Sequence, residues 1–438
     1  MAADRAARAE LLRRYQAFYD GLEEDYLGQV AAMGLSFEEA ETQPRALRSC
    51  AEGAWRCRNN GASLTRGWLS PACERCRTGE RMMSSFISLR CSKSCYFCFN
   101  KAQEGYEHFL AHRRDVAAEL EQLSASGEAL DFFAVTGGEP CLFPRELVEA
   151  VATARRLFPA CHVRLYTSGA SMDSALVDEL CAAGLDEVRF SVKLEDGPDE
   201  YARVLDLVRY AVPRLDVLVE MPVIPGSLDE MRRLLRDLDA AGARGVNLLE
   251  FCYPLNNAAA YARRGFSLRR PPFELLYDYW YAGGFPVAGS EAEALKLMRF
   301  AAKEGLGLGV HYCSFDNKNS GQIFAQNQPL RQDPALRAEF PLHAFDEGDF
   351  FAKSAKVFAA DAGEVCQRAR ELGIPFEEGA LEDELGAVGY VEVPLADAAA
   401  LMAALPQAAA AVSFCVLEQR DGAWVLREIA VRPLEHGR

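Results

Sequence analysis

The feature that most limits what this chain can become is an alternation of strand-like and helical segments between residues 82 and 313. Apolar, strand-like runs fall at 82–89, 130–135, 162–166, 186–192, 217–223, 245–251 and 306–312. Amphipathic stretches at 116–123, 145–157, 174–183, 201–211 and 228–240 separate most of them. Near-continuous apolar strands joined by helices predict a parallel sheet with right-handed crossovers. Six or seven such units favour a partial or full β/α (TIM-like) barrel over an open sheet, an α/β class.

The flanks differ. Residues 4–33 carry Leu11, Leu12, Tyr15, Phe18, Tyr19 and Leu22 at helical spacing. Residues 42–80 hold four cysteines in an irregular stretch, where a metal commonly replaces a core. The tail is expected to run as a helix over 351–372, an acidic loop, a strand over 388–393, a helix over 397–405 and strands over 412–418 and 425–429. Asp421-Gly422 joins the last two as a hairpin turn. Three domains are predicted: a helical and Cys-rich metal-binding extension at 1–81, the barrel at 82–330, and a small acidic α+β domain at 331–438.

The formal charge of −16 over 438 residues opposes phosphate backbones and anionic lipid, so neither nucleic acid nor membrane is expected as a partner. The last 98 residues carry 17 acidic against 8 basic side chains, read as a solvated acidic surface. The first 26 residues lack a continuous apolar core of the secretion-signal type, which gives the expectation of a cytoplasmic protein. In a reducing compartment, 14 cysteines point to metal or redox chemistry more than to disulfides.

The decisive segment is SLRCSKSCYFCFN at 88–100, which follows the first strand. Cys91, Cys95 and Cys98 can hold three irons of a [4Fe–4S] cluster and leave the fourth open. This spacing, with Phe97 before the last cysteine, resembles the radical S-adenosylmethionine (SAM) superfamily. The resemblance implies that the open iron binds SAM, whose reductive cleavage gives a 5′-deoxyadenosyl radical that abstracts hydrogen from a substrate. It also implies a reductant such as flavodoxin or ferredoxin, and oxygen sensitivity. Gly137-Gly138-Glu139-Pro140 is similar to the family motif that holds the SAM amino group. Thr167 and Ser168 after the third strand, Ser191 after the fourth and Ile224 in VEMPVIPG after the fifth are the implied ribose, carboxylate and adenine contacts.

Cys50, Cys57, Cys73 and Cys76 end on a C-x-x-C pair and form a candidate second site for zinc, iron or another cluster, expected against the barrel mouth. Cys313 and Tyr312 end the last strand and are candidates for hydrogen-atom transfer, with a buried packing role as the competing reading. The polar run Ser314, Asp316, Asn317, Lys318, Asn319, Gln322 and Asn327 can bind substrate or simply be a solvated loop. Cys141 and Cys252 are also expected at the mouth, while Cys161, Cys181, Cys366 and Cys415 are expected to fill cores.

The extra cysteine group and C-terminal domain suit a peptide- or protein-modifying enzyme, and the organisation resembles that of methanogen protein-arginine C-methyltransferases. A small-molecule substrate remains open. An activase of glycyl-radical enzymes is the alternative, and a non-catalytic Fe–S carrier or sensor a third. The GGEP-like segment opposes the third, because a carrier needs no SAM pocket.

Overall fold

The computed structural model describes residues 2–39, 55–277, 283–346 and 350–434. The chain divides into two compact units, one of Met33–Phe273 with Tyr279–Asn319 and the other of Met1–Ala32, Glu274–Asp278 and Ser320–Arg438.

The first unit is built on one nine-stranded sheet. In chain order its strands are β1 (Arg56–Arg58), β2 (Ser63–Arg66), β3 (Met82–Phe86), β4 (Phe132–Thr136), β5 (His162–Thr167), β6 (Glu187–Phe190), β7 (Asp216–Val223), β8 (Gly245–Glu250) and β9 (Gly309–Cys313). The order across the sheet is β1-β2-β9-β8-β7-β6-β5-β4-β3. β3 to β9 are parallel and each neighbours the next in the chain. An unreversed order winds the sheet one way, as in a partial TIM-like barrel, and leaves no switch point of the doubly wound kind.

The strands are less uniformly apolar than expected. Val163, Leu165, Val188, Phe190, Val217, Val219, Val246, Leu248, Val310 and Tyr312 all join the buried core that the flanking helices cover. The alternate residues Arg164, Tyr166, Glu187, Arg189, Glu220, Asn247 and His311 face the inside of the barrel arc. Period-two alternation therefore survives in a parallel sheet because the inner face is polar.

Helix boundaries follow local chemistry. Asp115 and Asp173 cap the helices Val116–Ala125 and Ser174–Ala183, each accepting an amide N–H at 2.9 Å. The helix Leu228–Ala241 buries Met231, Leu234, Leu235 and Leu238, one stripe at helical spacing.

The cysteine-rich stretch is more regular than its composition suggests. β2 pairs antiparallel with β9, with Ser63 opposite Cys313 and Thr65 opposite His311. The short helix Pro71–Arg75, capped by Ser70, then crosses the opposite end of the barrel from the expected mouth. A Cβ on Gly309 would stand 2.1 Å from the Trp68 carbonyl, and the Ser70 hydroxyl donates to Glu187 at 2.5 Å. Gly309 and Glu187 begin their strands, so this segment plugs the N-terminal end of the barrel.

The second unit holds a five-stranded antiparallel sheet of β10 (Ala352–Phe358), β11 (Glu377–Asp383), β12 (Gly386–Val393), β13 (Ala409–Arg420) and β14 (Ala423–Pro433), ordered β11-β12-β10-β13-β14. With helices Ala362–Leu372 and Ala398–Ala404 this is a split β-α-β arrangement with an added hairpin strand. The helices cover Ala355, Val357, Val391 and Val393. The long helix Ala2–Ala31 covers the other face, where Leu12 and Tyr15 pack on Phe358, Val388, Ala411 and Val431.

Three expectations are corrected here. The helix expected over 351–372 is a strand followed by a helix: 352–358 is buried on both faces, with Ala355 and Val357 under the helices and Phe358 under the opening helix. The expected acidic loop contains β11, an edge strand whose charges ward off pairing with other chains. The opening helix belongs with this sheet and not with the cysteine-rich segment. Tyr15 and Lys356 form a 2.7 Å hydrogen bond, and Lys356 pairs with Glu428 at 2.7 Å. The predicted turn is present, with positive φ at Asp421 and Gly422.

Candidate active site

At the C-terminal ends of β3 to β9 the first unit opens into a cavity of about 630 Å³, within the range of small-molecule sites. Its wall takes Cys91, Cys95, Phe97 and Cys98 from the loop after β3, and Gly137, Gly138 and Glu139 from that after β4. Thr167 and Ser168 follow from β5, Ser191 from β6 and Cys313 from β9. The fold thus gathers these expected residues from five strand ends.

The two glycines are sterically required. A Cβ on Gly138 would lie 2.1 Å from the Arg90 carbonyl oxygen, and one on Gly137, whose φ is +104°, 2.4 Å from Phe86 Cβ. Without them the loop comes close enough for Gly138 N–H to donate to Ser88 O at 3.1 Å and Glu139 N–H to Arg90 O at 2.7 Å. The cysteine loop and the glycine loop are therefore laced together. Asn100 adds a bond from its side-chain amide to Gly137 O.

Glu139 is buried and organises its surroundings. One oxygen accepts from the Thr167 hydroxyl at 2.6 Å and the Cys141 amide at 3.2 Å, the other from the Ser168 amide at 2.9 Å and the Ser168 hydroxyl. Pro140 is buried as the start of the turn Pro140–Leu142, and Cys141 is buried beneath it with its thiol on Thr167. Ile224 lines an adjoining cavity of about 310 Å³ that shares Lys93, Cys95, Phe97, Lys193 and Pro222 with the first.

The donor set suits a cluster. Three thiols line one cavity, as one thiolate per iron on three irons requires, and the Lys93 amide donates to Cys91 Sγ at 3.4 Å. Burial raises the Cys91 and Cys95 thiols, with the Lys193 charge opposing it at Cys95.

Beneath the cavity lies a polar network with no apolar equivalent in an ordinary barrel core. Arg189 donates to Glu187 at 2.5 Å, to Tyr166 and Glu220 at 3.0 Å, to Ser70 at 3.0 Å and to Cys73 Sγ at 3.4 Å. Asn247 donates to Glu220 at 2.9 Å and to Cys73 at 3.4 Å. Burial lowers the His311 pKa to about 3. The neutral ring donates from Nδ1 to Asn247 and accepts from Ser63 at Nε2, both at 2.9 Å. Beside the cavity, Glu250 pairs with Arg269 at 2.8 Å, and Arg269 also meets Glu291 and Asp316. Burial pushes the Glu250 carboxyl up to about 7, with Arg269 opposing and Glu291 adding to the rise.

Other expected residues are dispersed. Tyr312 points away from the cavity, fully buried in the core under the helices, because neighbouring residues of a strand face opposite ways. Cys57 shares that outer side, opposite Leu64, whereas Cys73 lies on the inner network; Cys50 is outside the described residues. Of the polar run, Ser314 and Lys318 line the cavity, while Asn317 donates to Cys313 Sγ at 3.2 Å. Asn327 instead bonds Phe350 O and the Leu417 amide in the second unit. Cys252 lines the cavity as expected. Arg90, Lys93, Asn100, Lys101, Tyr166, Arg189, Lys193 and Glu220 went unrecognised in the sequence. For Arg189 and Glu220 the available signal was charge at alternate positions of apolar strands.

Residues 85–238 match the family model described as the radical SAM superfamily. Residues 85–238 are thus a radical SAM domain. A Methanocaldococcus jannaschii protein provisionally named a glycyl-radical enzyme activating enzyme is 25% identical over 326 residues, covering 70% of this chain and 80% of the relative. Among solved structures, Escherichia coli coproporphyrinogen III oxidase, a radical SAM enzyme, covers 76% of this chain and 79% of its own at 11% identity and a TM-score of 0.36. Streptococcus suis SuiB, crystallised with its precursor peptide SuiA, is 12% identical with a TM-score of 0.39. The match covers 52% of this chain and 48% of SuiB, so this chain spans about half the length of that protein. The family implies a [4Fe–4S] cluster and SAM. Among the described residues no helix is long and apolar enough to cross a membrane.

Proposed function

We propose that Cys91, Cys95 and Cys98 hold the cluster of this radical SAM enzyme and that SAM lies along Gly137–Pro140, Thr167, Ser168 and Ser191, with Phe97 and Ile224 toward the adenine side. The observation that carries this reading is the meeting of those loops around one cavity at the strand ends, with Ile224 in the space adjoining it. When bound, the cluster and SAM supply a 5′-deoxyadenosyl radical for hydrogen abstraction. The chain's own contribution is positional. Gly137 and Gly138 bring a backbone edge to the cofactor, Glu139 fixes Thr167 and Ser168, and the polar floor closes the barrel from below.

The substrate proposed is a peptide or protein, reduced equivalents coming from a flavodoxin- or ferredoxin-type donor in the cytoplasm. Activation of a glycyl-radical enzyme is the second reading, favoured by the name of the 25% identical relative. A carrier or sensor role explains neither the cavity nor its glycine loop. A second metal on Cys50, Cys57, Cys73 and Cys76 rests on spacing alone, and to load it Cys57 has to leave the outer core face.

Cys313 is proposed as the hydrogen-atom partner. Burial raises its thiol well above the ordinary range, so it stays S–H, and it lines the cavity. In uncoupled turnover in D₂O, an exchanged Cys313 S–D can quench the radical. Cys313→Ala is then expected to lower deuterium in 5′-deoxyadenosine by at least half while SAM cleavage continues. Unchanged deuterium content would return Cys313 to a packing role, worth ~1–2 kcal/mol of stability.

A further inference from the structure

The composition holds a bias that the radical chemistry does not explain. The chain uses forty arginines and only eight lysines. Four of those eight, Lys93, Lys101, Lys193 and Lys318, line the one cavity at the strand ends, together with Arg90 and Arg189. In a chain of net charge −16, this is a concentrated positive site.

Part of that charge is already matched. Lys93 pairs with Asp196 at 2.8 Å and Glu200 at 3.3 Å, and Arg189 is held by Glu187 and Glu220. Among the described residues, Arg90, Lys101, Lys193 and Lys318 meet no carboxylate. Lys193 donates to the Ser191 hydroxyl at 2.7 Å, and Lys318 lies 4.4 Å from the centre of the Phe99 ring. The cavity's acids offset only part of this charge: Glu139 contributes one negative charge held among neutral donors, and Glu250 shares Arg269 with Glu291 and Asp316. The cofactors do not balance the remainder. Three thiolates on an oxidised cluster and one SAM sum to a charge close to zero, and the SAM carboxylate engages at most one or two of the four cations.

We propose that the substrate of this site carries an anionic group, a carboxylate or a phosphate, bound by Lys318 with Lys101. Lys318 stands on the helix that follows β9, on the far side in chain order from the loops assigned to SAM. Its neighbours Phe99 and Phe315, with Phe251, give the anion's carrier an apolar wall. An ammonium above a ring keeps its three donors directed at the space beyond, and its compact charge suits a single oxyanion better than the forked guanidinium used elsewhere in the chain. The inference rests on the radical SAM reading of the cavity, and extends it to a substrate class.

The test is affinity labelling of the anaerobic, cluster-reconstituted protein with SAM bound and no reductant of the cluster. Pyridoxal 5′-phosphate forms an imine with a lysine amine, losing water, and cyanoborohydride fixes it for mass-spectrometric mapping. Pyridoxal, without the phosphate, is the comparison, and the exposed Lys296 and Lys303 are the internal reference. Relative to that reference, Lys318 or Lys101 is expected to take the phosphorylated label ~10-fold or more over the unphosphorylated one. Suppression by inorganic phosphate identifies a phosphate-type ligand, and suppression by benzoate a carboxylate. Equal labelling by both aldehydes at Lys318 and Lys101, or an excess confined to Lys193, overturns the proposal. Uncoupled SAM cleavage, measured separately, reports on the radical reading alone.

Discussion

Replacing Arg189 by leucine is expected to destabilise the barrel by ~3–5 kcal/mol, because it strands a fully buried carboxylate. Glu187 is inaccessible to solvent, and burial alone would raise its pKa; the Arg189 charge and the Ser70 hydroxyl hold it below the ordinary value. The same guanidinium anchors Tyr166, Glu220 and Cys73. At ~2–4 °C per kcal/mol for a domain of this size, the melting temperature should fall by roughly 6–20 °C. A double variant with Glu187→Leu should recover much of the loss, since removing both charges abolishes the uncompensated one. A single variant melting within about 1 °C of the parent would mean that water or a counter-ion reaches this network.

The second large effect is expected at Gly138. Alanine there places a methyl group 2.1 Å from a backbone oxygen, and no side-chain rotation relieves it. The loop must retreat, which breaks the bonds from Gly138 N–H to Ser88 O and from Glu139 N–H to Arg90 O. Because those bonds position the glycine loop against the cysteine loop, SAM cleavage should fall by ~10²-fold or more, while the helices and the melting temperature change little. Near-normal 5′-deoxyadenosine formation by Gly138→Ala would show that the loop does not meet the cofactor.

The two predictions differ in how visible their residues were beforehand. Gly138 was legible because a glycine pair after a strand has a local meaning, close backbone approach. Cys91, Cys95 and Cys98 were legible because three thiols on one loop are a short-range pattern. Arg189 was hidden, since its partners come from β5, β7 and the Ser70 segment, and a single charge in an apolar strand looks like an interruption until the fold turns it inward. Sequence spacing also joined Cys57 to Cys73, although strand pleating puts Cys57 on the outer side of the sheet. In the second unit, 351–372 reads as one helix because the short run Ala352–Phe358, buried on both faces, shows no period-two alternation and no glycine or proline separates it from the helix that follows. The alternation of strands and helices in the barrel, by contrast, repeats often enough that single errors in element ends left the architecture unchanged.

On this reading the cavity cleaves SAM at a cluster held by Cys91, Cys95 and Cys98. The most direct measurement is 5′-deoxyadenosine formed from SAM under dithionite, comparing anaerobically reconstituted parent protein with the variant in which Cys91, Cys95 and Cys98 are all alanine. The parent should form 5′-deoxyadenosine and show a reduced-cluster EPR signal altered by SAM, and the variant should do neither while keeping the parent's circular dichroism. A folded triple variant that still produced 5′-deoxyadenosine would contradict the assignment of the cluster to this loop.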